Sequence, residues 1–210
     1  MDPRFIPELN ERLFTHFAGG AWRAPYSDRH LPVMRASGEP LGQVVCAGPP
    51  DVARARGVLR LGQPEEPVDA EVLWAAMLAE APLLGAMRAE EGYAADRLGA
   101  PEPLHLPERG PLVLLSAAET PVDRIAGALI AGARAGLIWK PAPGAAASAH
   151  LIMRALGPLT GGRLALLQGD HATGELLAGQ GRLVWAGAGP PPASLPVPAL
   201  DLSVRQATGR

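Results

Sequence analysis

Between residues 111 and 185 the chain alternates short apolar runs with helix-period segments, and this alternation limits the possible folds more than any other feature. Pro111-Leu112-Val113-Leu114-Leu115-Ser116 is a continuous apolar run, the mark of a strand buried on both faces. A helix is expected over 121–134, then a strand at Leu137-Ile138-Trp139 and a helix over 145–156. Leu164-Ala165-Leu166-Leu167 reads as the next strand, 173–178 as a short helix, and Leu183-Val184-Trp185 as a further strand. Strands that alternate with helices imply a parallel sheet covered by helices, a Rossmann-like α/β fold. Right-handed crossovers leave few topologies open.

The preceding part reads differently. Phe17-Ala18-Gly19-Gly20-Ala21-Trp22 sets a Gly-Gly turn between apolar residues, and 30–35 and 41–46 flank a turn at Ser37-Gly38-Glu39-Pro40. Asp51 is expected to cap a helix whose apolar face holds Val52, Ala55, Val58 and Leu59. After the break at 63–67, Asp69 starts a second helix with Val72, Leu73, Ala76 and Met77, which Pro82 is expected to end. A third helix follows over 83–98. We expect one domain over 1–210: N-terminal strands and helices at 17–100, the sheet core at 104–188, and a Pro-rich surface tail at 189–210.

Composition excludes several classes. The chain is 48% apolar and 19% charged, with a net charge of −2, so it is neither a disordered acidic chain nor a basic nucleic-acid binder. Gly and Pro number 25 and 23, dispersed without a period, which fits many short elements rather than a collagen-like repeat. The one cysteine, Cys46, excludes an internal disulfide and a multi-cysteine metal site, and its place at a strand end suits a small buried hydrophobe. No apolar run is expected to reach the roughly 18–20 residues a membrane span needs, and the opening Met1-Asp2-Pro3-Arg4 leads into no signal-like core. A cytoplasmic protein without membrane or nucleic-acid partners is therefore expected. Of the 19 cations, Lys140 is the only lysine.

A parallel sheet binds ligands beyond the carboxyl ends of its strands. The loops 116–121, 140–144 and 169–173 lie at that edge, and none holds a G-x-G-x-x-G fingerprint. Lys140-Pro141 stands at a strand end, where a lysine offers a mobile charge and three donors to a ribose or a phosphate. His105, within Pro103-Leu104-His105-Leu106-Pro107, reads as part of an exposed or edge strand, and His150 lies on a helix. Asp170 with His171 is either an acid–base pair or, as the sequence favours, a helix cap. No two histidines share metal-ligand spacing.

The order of these motifs resembles the N-terminal, cofactor-binding half of the aldehyde dehydrogenase superfamily. Phe17-Ala18-Gly19-Gly20-Ala21-Trp22 is similar to the family's I-N-G-x-W hairpin, 36–44 to P-A-T-G-E-x-I-G-x-V, and Asp51-Val52-Ala53-Arg54-Ala55 to D-V-x-x-A. Arg109-Gly110-Pro111-Leu112-Val113 stands for R-x-P-x-G-V, and Leu115-Ser116-Ala117-Ala118-Glu119-Thr120-Pro121 for I-S-P-W-N-F-P. Trp139-Lys140-Pro141-Ala142 resembles L-K-P-S, 162–169 resembles G-x-x-N-x-V-x-G, and 182–188 resembles K-I-x-F-T-G-S. The resemblance implies cofactor-binding positions at Lys140, Pro141, Ser116, Gly169 and Gly187.

The departures from that pattern shape the functional expectation. The resemblance puts the family's cysteine nucleophile beyond residue 210, so the catalytic domain is expected to be missing, and Cys46 does not replace it. Glu119 stands where the family has the oxyanion-donating asparagine, and an ionised carboxylate only accepts hydrogen bonds. Leu200-Asp201-Leu202-Ser203 is faintly similar to the general-base motif L-E-L-G, with Asp201 read as a surface acid. Pro143 replaces the glutamate that holds the ribose, and Ala188 replaces the pyrophosphate-capping serine. Pro190-Pro191-Pro192 falls where the pyrophosphate helix should begin and removes its N–H donors.

The expected protein is thus a pseudoenzyme without a required cofactor, acting by association with a full-length aldehyde dehydrogenase or with itself. Leu104-His105-Leu106 is the candidate edge for strand addition, and apolar surface left by the missing domain would favour association. The alternative is an NAD- or NADP-binding subunit that assists a separate catalytic chain. A third possibility, an independent small enzyme, would use Glu119, Asp170 and His171.

Overall fold

The computed structural model describes residues 13–61, 68–94, 98–99, 104–107, 110–193, 195 and 199–202. Strands β1 (Leu13–Phe14), β2 (His16–Ala18), β3 (Ala21–Arg23), β4 (His30–Met34) and β5 (Pro40–Val45) come first, followed by helices α1 (Pro49–Val58) and α2 (Ala70–Glu90). The chain then alternates β6 (Leu112–Ser116), α3 (Val122–Gly132), β7 (Leu137–Pro141), α4 (Ala146–Leu156), β8 (Leu164–Leu166), α5 (His171–Ala178) and β9 (Arg182–Ala186), ending on β10 (Leu200–Asp201). The Rossmann-like α/β fold expected from the alternation is the fold observed.

The main sheet has seven strands in the order β10-β9-β6-β7-β8-β2-β3. Its strands from β10 to β8 are parallel, whereas β2 joins β8 in the opposite sense and turns back into β3. Gly19 and Gly20 make that turn with φ of +60° and +79°, values that side chains beyond glycine resist. A smaller sheet, β1-β5-β4, contains the hairpin predicted around residues 37–40.

Side-chain alternation in β6 explains the layering. Leu112 and Leu114 enter one core with α2, α3 and α4, while Val113 and Leu115 enter a second core with α1 and α5. All four are at most 5% exposed, so each contributes roughly 1.5–3 kcal/mol of burial. Phe14, Val33 and Val44 of the smaller sheet join the first core.

Four local expectations need correction. Pro82 does not end a helix: α2 runs through it, because Pro82 and Leu78 lie on the exposed face and the Leu78 carbonyl that loses its partner can turn to water. Helix α2 stops at Glu90, and residues 95–97 of the expected third helix lie outside the described residues. Asp51 is not the cap of α1; Gly48 is, and Asp51 reaches back from the first turn to accept the Gly48 N–H at 3.2 Å. Residues 104–107 form no strand; Leu104 and Leu106 instead rest against the core. Asp201, expected in a surface tail, is exposed as anticipated but belongs to β10, at the edge of the sheet. The described residues 190–193 are exposed or half-buried.

Contrary to the impression from sequence, α2 is long and apolar enough to cross a membrane by length and composition. It packs its inner face on the core through Leu73, Met77, Leu84 and Met87, each at most 2% exposed.

Candidate functional site

From β6 the chain crosses to β7 and β8 on one side, then returns to place β9 and β10 on the other. The reversal leaves a crevice beyond the carboxyl ends of β6 and β9, the switch point where such sheets bind ligands. A cavity of about 350 Å³ occupies it, near the lower end of ligand-pocket sizes. Its wall combines the loop after β6, the end of β7, the start of α5, Trp185, Pro192 and Leu195.

Strand geometry delivers Lys140 to this cavity. Ile138 and Lys140 share one face of β7, and Ile138 is anchored in the core beneath α1 and α5. Lys140 lies beside Leu115 in register and is 7% exposed. Among the described residues it has no hydrogen-bond or ion-pair partner. Burial lowers its pKa to about 8, against the opposing pull of Asp170 and Cys46.

Ser116 also lines the cavity, but its hydroxyl accepts the Trp139 indole N–H at 2.9 Å and its carbonyl accepts the Ala142 N–H. The hydroxyl therefore ties β6 to β7. Pro141, Gly169 and Gly187 are buried and are not among the residues lining the cavity. At Gly169, φ is +154° and an added Cβ would stand 2.2 Å from the Thr173 hydroxyl, so only glycine admits the close approach of α5. At Gly187 a Cβ would strike the Trp185 ring at 2.7 Å. Of the five cofactor positions implied by the resemblance, Lys140 and Ser116 line the cavity, and Pro141, Gly169 and Gly187 do not.

The remaining candidates separate by role. Asp170 caps α5 by accepting the Thr173 N–H at 3.0 Å and pairs with Arg29. Burial pushes its carboxyl up, but the Thr173 N–H and the Arg29 guanidinium outweigh that and hold it below the ordinary carboxylate range. The acid–base reading of Asp170 with His171 is not what the geometry shows, since His171 Nε2 faces Glu175 at 3.5 Å. His171 and Glu119 do line the cavity. The Glu119 carboxylate sits at its lip, 3.5 Å from the Ala188 N–H it accepts. Cys46 is buried, and burial followed by the Asp170 carboxylate pushes its thiol up, away from the reactive thiolate. His105 is exposed, whereas His150 stacks on Trp22 with ring centroids 4.1 Å apart. Residues 187–193 form no helix, as the three prolines imply.

Sequence reading missed a polar cluster beside this edge. Arg88 is buried, donates to the Ala118 carbonyl at 2.7 Å, and lies 4.4 Å over the Tyr93 ring. Glu91 accepts the Ala147 and Ser148 N–H groups at 2.9 and 3.0 Å, so it satisfies the start of α4. Burial nonetheless raises the Glu91 pKa, against those hydrogen bonds and Arg88. Nothing local signals these roles, because the hydrogen-bond partners lie 30 to 57 positions away. Among the described residues no His, Cys, Asp and Glu grouping could hold a metal.

No family model matches this sequence, and no curated protein matches it. Solved structures do match. An oxidoreductase from Marinobacter aquaeolei superposes with a TM-score of 0.63 at 19% identity, covering 82% of this chain and 46% of that one. Aldehyde dehydrogenase C from Pseudomonas syringae, solved as a C291A mutant with NAD+ and octanal, gives 0.63 at 17% identity over 86% and 46%. A methylmalonate-semialdehyde dehydrogenase from Sinorhizobium meliloti, complexed with NAD, gives 0.62 at 18% over 84% and 45%. The chain spans about half the length of these structures. Its fold is that of an aldehyde dehydrogenase cofactor domain.

Proposed function

We propose that this chain is a non-catalytic, aldehyde-dehydrogenase-like protein that acts by associating with a second copy of itself or with a full-length aldehyde dehydrogenase. The observation that carries this reading is the outward face of α2. Val72 and Leu78 are 52% and 46% exposed, and Ala75, Ala79 and Pro82 stand exposed with them. A surface helix ordinarily presents charge on that side, and a contiguous apolar stripe marks an interaction surface. The buried Cys46 thiol, and Glu119 where an oxyanion would need a donor, support the non-catalytic part.

Sedimentation velocity tests the association, run on the chain alone and mixed with a full-length aldehyde dehydrogenase. A dimer or a mixed complex is expected. Exchanging Val72 and Leu78 for glutamate should return the chain to a monomer while changing its melting temperature little, because both side chains are already exposed. A wild-type chain that remains monomeric both alone and in the mixture sinks the proposal.

A second reading, a subunit that binds NAD or NADP for a separate catalytic chain, is favoured by Lys140 in the switch-point cavity. A thermal-shift titration with each dinucleotide tests it, since a ligand at a hundred times its Kd adds about 2.7 kcal/mol. A dose-dependent rise lost in Lys140→Ala is the expected result. A flat response to millimolar dinucleotide removes this reading.

A further inference from the structure

We infer that the switch-point cavity is a reversible covalent site for small apolar aldehydes, with the Lys140 ε-amine as the attacking group. The inference is independent of whether the chain associates. It begins from the placement of the only lysine: Lys140 is 7% exposed, opens into a cavity of about 350 Å³, and has no hydrogen-bond or ion-pair partner among the described residues. Leu115, Ala118, Pro143, Trp185 and Leu195 give the cavity an apolar wall suited to an alkyl chain rather than to a phosphate. Phosphate binding would call for several donors, and among the described residues no helix follows β9 to supply them.

An exposed lysine is a weak nucleophile because it is protonated, and desolvation in an apolar pocket is one of the ways proteins activate it. With a pKa of about 8, roughly a quarter of Lys140 is neutral at pH 7.5, against about one part in a thousand for an ordinary lysine. The groups acting on it are the Asp170 carboxylate, itself paired with Arg29, and the neighbouring Cys46 thiol. Glu119 and His171 line the same cavity, with Glu119 taking the Ala188 N–H and His171 facing Glu175.

In the step itself, the amine lone pair forms a bond to the carbonyl carbon, and the carbonyl oxygen takes up the proton that nitrogen loses. The resulting carbinolamine loses its hydroxyl and the second amine proton as water, leaving a C=N bond. One amine and one aldehyde thus give one imine and one water, with no change in oxidation state. Water reverses the reaction.

The test uses hexanal with sodium cyanoborohydride, which delivers hydride to the imine carbon and makes the adduct permanent. The full chain is treated at pH 7.5 and mapped by peptide mass spectrometry, where a single lysine makes assignment unambiguous. Lys140 in the folded chain should label on the order of tenfold faster than in the same chain in urea. The folded rate should level off above pH 8 instead of climbing toward 10.5, and hexanal should outpace the polar glyceraldehyde. Lys140→Met, checked for folding by circular dichroism, should lose the adduct on this peptide. Labelling confined to the α-amino group, a Lys140 rate no faster than in urea, or equal rates for the two aldehydes overturns the inference.

Discussion

At the scale of single residues, the most consequential side chain outside the cavity is His16. It is fully buried: Nδ1 accepts the Gln168 N–H at 3.2 Å, and Nε2 faces Asp51 at 3.9 Å, beyond hydrogen-bond reach. Burial outweighs the attraction of the Asp51 carboxylate and lowers the His16 pKa from 6.5 to about 4. Above pH 6.5 both folded and unfolded chains carry a neutral His16. As pH falls from 6.5 to 4, the unfolded chain gains a proton that the folded chain refuses, so stability declines by up to about 3 kcal/mol. Urea midpoints at pH 7 and 4.5 measure the loss, and His16→Gln should flatten that part of the profile. Lys140 works with the same logic at the alkaline end: stability should rise between pH 8 and 10.5, where only the unfolded chain still holds its proton. Lys140 could be singled out from sequence because it is the one lysine and stands at a strand end. His16 could not, since Gln168 lies 152 positions away.

At the scale of elements, helices meet where one supplies what the next lacks. Glu91, just past the end of α2, accepts two N–H groups at the start of α4, which has no capping side chain of its own. Glu91→Ala should cost about 2 kcal/mol in chemical denaturation, because two buried donors lose their acceptor. Glu91→Gln keeps a carbonyl oxygen there and should cost about half as much or less. Turn glycines made the hairpins legible from sequence, continuous apolar runs the parallel strands, and helical spacing most of the helices. Pro82 misled because its local penalty depends on which face of the helix carries the orphaned carbonyl, and here Leu78 and Pro82 both lie on the exposed face. The strand expected at 104–106 failed for a related reason: prolines flank it, and Leu104 and Leu106 gain their burial against the core without a ladder.

At the scale of the whole molecule, the N-terminal hairpin is built into the main sheet. Phe17 pairs with Leu166 of β8 and is 1% exposed, and a Cβ on Gly157 would lie 2.6 Å from its ring. Phe17→Ala should therefore cost about 3–5 kcal/mol. Native-state hydrogen exchange should show amide protection in β7 falling along with that in β2, as one cooperative unit. The alternation of strands and helices disclosed this sheet from sequence, but not the antiparallel insertion of β2, which depends on a contact about 150 positions distant. Trp185 is the lone tryptophan lining the cavity among the described residues, and its indole N–H is fixed on the Gly189 carbonyl at 2.8 Å. Anything that enters packs against that ring and changes the polarity around it, so the intrinsic emission of Trp185 should serve as a built-in fluorescent gauge of occupancy, with Trp185→Phe as the blank.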